Sequence, residues 1–181
     1  MKAPLLPRHV AAAWVALFVA VAGVSTVAQD LDTRRFEAVQ GERYRPDFTL
    51  QTIDGEWRSV GEWDGQVILI DFWASWCIPC RREMPTFNAL RAAYRDQGFE
   101  VVGLAADELE NVREFLDEVR VDFPIVYGEL YDVMDLSAAY GNAFGGLPFS
   151  AFVDRDGRVR YTQKPGEVTY EEAEEILRRL L

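Results

Sequence analysis

Cys77 and Cys80 are the only cysteines in a chain of 181 residues, and two positions separate them. They lie in Ser75-Trp76-Cys77-Ile78-Pro79-Cys80, directly after the apolar run Val67-Ile68-Leu69-Ile70-Asp71-Phe72-Trp73. A segment with helical spacing begins near Arg81. Two thiols at the join of a strand and a helix predict redox chemistry. Cys77 falls at the start of the helix, where free N–H groups and the positive end of the macrodipole favour a thiolate. The thiolate is the attacking species in thiol–disulfide exchange. Cys80 follows one turn on, within reach to resolve a mixed disulfide. Pro79 occupies the first turn, where its missing N–H leaves no bond unmade. Trp76 gives the sulfur an apolar rim.

Two plainer uses of the cysteines compete with this one. A disulfide kept only for stability gains little from so short a loop: roughly 2 kcal/mol, against about 3 for a fifteen-residue loop. A zinc site wants four ligands. His9 is the only histidine and lies in the N-terminal segment, so the rest of the chain has no imidazole. Its absence removes Ser-His and Cys-His catalysis and histidine metal sites. Acid–base work falls to carboxylates, tyrosine or thiols, and the dithiol chemistry calls for no cofactor.

The elements that must position the pair come next. The 49% hydrophobic and 27% charged content suits a folded domain. Net charge is −11, and without Lys2 and Arg8 it is −13, from 17 basic against 30 acidic residues. Such a body repels phosphate backbones, so nucleic acid is excluded as a partner. Lys2 and Arg8 precede the apolar run Val10–Ala28. That pattern predicts export, with residues 1–28 either a cleaved signal peptide or an uncleaved membrane anchor. The remaining chain is then outside the cytoplasm, touching the membrane only through residues 10–28. Residues 29–45, polar and without a period, are expected to be a linker, leaving 46–181 as the domain.

Within that domain, Phe48-Thr49-Leu50 and Trp57-Arg58-Ser59-Val60 flank Asp54-Gly55 and predict a hairpin. Val67–Phe72, apolar on both faces, predicts a central strand. Met84, Phe87, Leu90, Ala93 and Tyr94 mark the next helix, with a kink expected at Pro85. Then follow a strand at Phe99–Ala105, a helix around Val112–Val119, a short strand at Phe123–Tyr127 and a helix at Val133–Tyr140. Phe149–Val153 and Arg158–Tyr161 form a second hairpin, and Tyr170–Leu181 a closing helix. The order predicts an α/β domain, a mixed sheet with helices on both faces.

The stretch Asp71-Phe72-Trp73-Ala74-Ser75-Trp76-Cys77-Ile78-Pro79-Cys80, with Pro85 beyond it, resembles thioredoxin. The N-terminal hairpin, Cys80-Arg81-Arg82-Glu83-Met84-Pro85 and Gly146-Leu147-Pro148…Phe152-Val153-Asp154…Gly157 are more similar to the TlpA/ResA/CcmG group of exported, often membrane-anchored thiol–disulfide oxidoreductases. The resemblance covers about residues 46–181 and implies a thioredoxin fold with an N-terminal β-hairpin extension. It makes Cys77 the nucleophile and Cys80 the resolving residue of a redox-active disulfide. Pro148 matches the family's cis-proline, with Leu147 offering backbone groups to a substrate strand. Trp76, Ile78 and Pro79 complete the substrate-binding surface. Asp71 matches the buried acid of thioredoxin, and Glu83 the acid that the exported group keeps near its site. Taken alone, Asp71 would be a turn residue ending a strand, and Glu83 part of a solvated helix face.

Three positions depart from the family pattern. Both acids occur together, so either can serve Cys80. Phe149 stands where the family usually has Thr. Ile78 replaces the common Gly or Glu and, with Pro79, leaves no imidazolium between the cysteines, which predicts a reducing pair. The resemblance implies substrates among disulfide-bearing exported proteins, such as apocytochrome c or a copper-site assembly protein, and a membrane thiol reductase as electron donor. A peroxiredoxin-like peroxidase would want Thr or Ser three residues before its cysteine, where this chain has Ala74. A non-catalytic peptide-binding module is the remaining alternative.

Overall fold

The structure, a computed structural model, describes residues 35–181. The expected export segment, residues 1–28, lies outside them. Among the described residues no helix is long and apolar enough to cross a membrane.

All seven residues of the strand Val67–Trp73 (β4) are buried, as a run apolar on both faces demands. β4 pairs in parallel with Phe99–Ala106 (β5) and antiparallel with Phe149–Val153 (β7). Around this centre stand Phe36–Ala38 (β1), Thr49–Gln51 (β2), Trp57–Ser59 (β3), Ile125–Gly128 (β6) and Val159–Gln163 (β8). The sheet order is β1-β8-β7-β4-β5-β6-β2-β3. The α-helices among the described residues are Ile78–Tyr94 (α1), Leu109–Glu118 (α2), Leu130–Tyr140 (α3) and Tyr170–Leu180 (α4).

Strand alternation divides the core. Val67, Leu69 and Trp73 of β4 pack in one cluster with Met84, Phe87 and Leu90 of α1, Phe115 of α2 and Ile176 of α4. Ile68, Ile70 and Phe72 pack on the other side with Val133 and Tyr140 of α3 and with Val60 and Trp63 of a short 3-10 turn. Helices thus cover both faces of a mixed sheet, the thioredoxin-type architecture. By the same alternation Asp71 belongs to the face that carries α1.

Three details differ from the sequence expectations. Residues 29–45 are not a linker throughout: β1 pairs antiparallel with β8, and Tyr44 bridges to Arg158. Phe36 holds this edge, buried against Phe152 with ring centroids 5.1 Å apart. One apolar anchor among charged neighbours leaves no periodicity to read. The helix begins at Ile78 rather than Arg81, because Cys77 itself is the N-cap. Finally, β4 continues past Asp71 to Trp73, so Asp71 is a mid-strand residue and not a turn.

Candidate active site

β4 ends at Trp73, and three residues later the chain enters α1 through Cys77. Cys77 and Cys80 form a disulfide with Cα atoms 5.3 Å apart. Cys77 Sγ accepts the Cys80 N–H at 3.3 Å, so the sulfur caps the helix. Cys77 keeps 4% of its surface exposed and Cys80 none. Both belong to the helix-side core cluster, and only Cys77 keeps any accessible surface. Trp76 and Ile78 flank Cys77 as exposed apolar side chains. Pro79 lies in the first turn of α1. Arg81 and Arg82, the two cations that follow Cys80, are engaged elsewhere. Arg81 binds Glu118 at 3.0 Å and lies over the Phe115 ring, and Arg82 pairs with Glu167.

Two carboxyl groups lie buried on this side of the sheet. Asp71 accepts one hydrogen bond, from Ser150 Oγ at 3.3 Å, and its Oδ2 has no partner. Burial pushes its pKa up to about 7, and the single Ser150 bond offsets only part of that rise. Glu83 replaces an apolar residue in the inward face of α1, beside Met84 and Phe87. Its Oε1 accepts the Val168 N–H at 2.6 Å and Gln163 Nε2 at 3.0 Å, and its Oε2 has no partner. Burial first, and then the charge of Asp71, push Glu83 up to about 9 despite those donors. Near neutral pH the pair therefore holds at least one proton in a buried layer.

The approach to Cys77 is pinned from β5. Asp107, just past its end, accepts Ser75 N–H at 3.0 Å, Ser75 Oγ at 2.6 Å, Glu108 N–H at 2.9 Å and Asn111 Nδ2 at 2.7 Å. Burial alone would raise its pKa, but these donors outweigh it and lower the value. On the other flank, the peptide between Leu147 and Pro148 is cis. Phe149 pairs with Phe72, which sets Pro148 level with the end of β4, the end that carries the cysteines. Asn142 ties the preceding loop down, donating to Ser137 Oγ and to the Gly146 carbonyl, both at 2.8 Å. A pocket of about 90 Å³ opens there, lined by Phe144, Leu147, Pro148, Phe149 and Gln163 among others.

The fold thus brings Cys77, Cys80, Trp76, Ile78 and Pro79 together at one strand–helix junction. Asp71 and Glu83 lie on the same side of the sheet, and Leu147 and Pro148 border the junction. Sequence reasoning missed Ser150, Gln163, Asp107 and Phe144. Ser150 and Gln163 reach their carboxylates across 79 and 80 positions, and no local signal marks such a pairing. Phe144, an aromatic in a glycine-rich loop ahead of Pro148, carried a signal that was there to be used.

The chain is similar to known proteins. A family model described as Redoxin matches residues 40–177. The thiol-disulfide oxidoreductase ResA of Bacillus anthracis is 31% identical over 145 residues, which cover 80% of each chain. That of Geobacillus thermodenitrificans is 34% identical over 116 residues, 64% of each. A DsbE-type thiol:disulfide interchange protein from Chlorobium tepidum superposes with a TM-score of 0.69 at 30% identity, covering 80% of this chain and all of its own. The thioredoxin domain of a thiol-disulfide oxidoreductase from Bacteroides vulgatus gives 0.66 at 25% identity, covering 77% and 99%.

Proposed function

Because the chain belongs to the Redoxin family and is a thiol–disulfide oxidoreductase of the ResA type, we propose that it reduces disulfides of exported proteins outside the cytoplasm. The observation that carries this reading is the asymmetric disulfide, Cys77 with 4% of its surface exposed and Cys80 with none, on the side of the sheet where Asp71 and Glu83 are buried. The location rests on the basic start and apolar run of residues 1–28.

In the reduced protein the Cys77 thiolate, favoured by the α1 N-terminus, attacks one sulfur of the partner's disulfide. A mixed disulfide forms and the partner's other sulfur leaves as a thiolate. Cys80 then passes its proton to Asp71, the carboxylate whose pKa lies nearest neutrality, and attacks Cys77 Sγ. The Cys77–Cys80 bond closes, and the partner's second sulfur leaves and takes up a proton. Two electrons have moved to the partner, and the disulfide seen here is the end state. Glu83 stays protonated throughout, so no second negative charge opposes ionisation of Asp71. The extended partner segment lies along Leu147-Pro148, with Trp76, Ile78 and Pro79 closing over it. A membrane thiol reductase returns the protein to the dithiol. Apocytochrome c and copper-site assembly proteins are the substrate classes to test first.

Trapping with Cys80→Ser in the native envelope tests the reading. Partners should remain linked to Cys77, and the Cys77→Ser form should capture none. Equal capture by both forms would overturn the assignment of the nucleophile.

A further inference from the structure

β4, β5 and β6 run parallel as neighbours in the sheet. Their C-terminal ends therefore share one edge, and each leads into a helix there: β4 into α1 through Cys77, β5 into α2, β6 into α3. Strands in a sheet lie about 4.8 Å apart, so the start of α3 is roughly 10 Å along this edge from the end of β4. Large apolar side chains are left to solvent at both places. Trp76 and Ile78 flank Cys77, and Leu130 and Tyr131 open α3, with Tyr131 81% exposed. Val133 and Tyr140 supply the inward face of α3, so Tyr131 plays no part in the core.

Around these side chains the edge is acidic. Glu108 and Glu110 open α2, Glu114 follows one turn on, and Glu129 and Asp132 open α3. All five are exposed, and none has a side-chain hydrogen bond or ion pair among the described residues. Helix capping does not account for them: Glu108 and Glu129 occupy the N-cap positions, and neither side chain caps its helix. The nearby cations are already engaged, Arg113 with the Ile53 carbonyl at 2.8 Å and Arg81 with Glu118. On the other flank of Cys77 the balance differs, because Glu167 is matched by Arg82.

We propose that the starts of α2 and α3 form a docking surface continuous with the rim of Cys77, and that its occupant is a basic segment of the disulfide-bearing partner. Lysine or arginine heads meet the five carboxylates, and their stems lie on Leu130 and Tyr131, whose ring face attracts the cation. Charge complementarity of this kind steers encounter and rejects acidic partners. The extent fits as well. A protein partner covers about 800 Å² of surface, a patch roughly 30 Å across, so one whose disulfide lies on Cys77 reaches the start of α3. The inference rests on the disulfide-reductase reading and deepens it, because it names the chemistry of the partner.

The test uses the reduced full-length protein and short peptides whose single cysteine is a mixed disulfide with glutathione. Three lysines, or three glutamates, begin three residues before or after that cysteine, a span of about 10 Å in extended chain. At one of the two positions the lysine peptide should react with a kcat/KM about tenfold above its glutamate counterpart at low ionic strength, and the ratio should fall toward one in about 1 M salt. Glu110→Gln with Glu129→Gln should lower the ratio to about threefold. Asp96→Asn with Asp156→Asn removes two carboxylates at the opposite end of the sheet and should leave it unchanged. Tyr131→Ala should lower kcat/KM for the lysine peptide about threefold. Equal rates for the two peptides at both positions would overturn the proposal. So would a preference that both pairs of substitutions lower alike, which assigns it to the charge of the whole body, or one that Glu110→Gln with Glu129→Gln and Tyr131→Ala leave untouched. The ratio in the natural protein decides the matter even where a variant does not fold. Peptides that are reduced without any preference overturn this inference alone, whereas peptides that are not reduced at all overturn the reductase reading with it.

Discussion

Asp71 and Asp107 are both buried aspartates, 1% and 8% exposed, on the adjacent strand β4 and just past the end of β5. Their states are opposite. Asp107 collects four donors, two of them from Ser75, and is held ionised. Asp71 has one long bond from Ser150 and is pushed up to about 7. The residue type is the same, and the number of donors decides which becomes an anchor and which a proton carrier. Asp107 fixes the approach to Cys77 by keeping its charge, while in the proposed mechanism Asp71 serves Cys80 by changing its own.

The largest effect expected from this contrast is on catalysis. Asp71→Asn removes the proton acceptor while keeping shape and the Ser150 contact, and should slow closure of the mixed disulfide at neutral pH by about a hundredfold. Stopped-flow decay of a preformed mixed disulfide reads that step directly. Glu83→Gln should cost much less, since Glu83 is neutral at that pH and its accepting oxygen is kept. If Glu83→Gln is the slower variant, the roles of the two acids are reversed.

Stability should respond the other way. Asp107→Ala strands the Ser75 N–H and hydroxyl and the Asn111 amide, and should cost about 2–3 kcal/mol in denaturant unfolding. Glu83→Gln should instead stabilise, by about 2 kcal/mol near pH 8. The sign follows from the raised pKa. Above its unfolded value near 4.5, Glu83 binds more protons folded than unfolded, so its contribution falls as pH rises toward about 9. The stabilising difference should therefore shrink toward zero near pH 5, and a difference that grows on acidification would contradict the buried, neutral state.

How much of this was legible in the chain depends on the range over which each feature is encoded. β4, the hairpins and the helical stripe through Met84, Phe87 and Leu90 are written in local periodicity and emerged close to their expected places. The cysteine pair, Leu147-Pro148 and both acids came from motif and resemblance. The donors did not: Ser150 and Gln163 meet Asp71 and Glu83 only through strand register and loop closure. β1 escaped because Phe36 alone anchors it. What the sequence could not convey was therefore the environment of each acid, which is the property that separates Asp71 from Asp107.

The same rule, environment over residue type, extends to two exposed aromatics and gives the smallest prediction. Phe144 is 73% exposed and lines the pocket beside Leu147-Pro148. Trp57 is 65% exposed on the edge strand β3, four strands along the sheet from β4. Neither packs in the core, so truncation to alanine should leave the unfolding free energy within about 0.5 kcal/mol for both. Only Phe144→Ala removes apolar surface beside Leu147-Pro148. A partner that covers it would lose roughly 1 kcal/mol of binding, seen as a KM for a disulfide-bonded protein substrate about fivefold higher. Trp57→Ala should leave that KM unchanged. If the two variants raise KM equally, the partner spans the whole sheet edge to edge, and the rim around Cys77 is not where its recognition is concentrated.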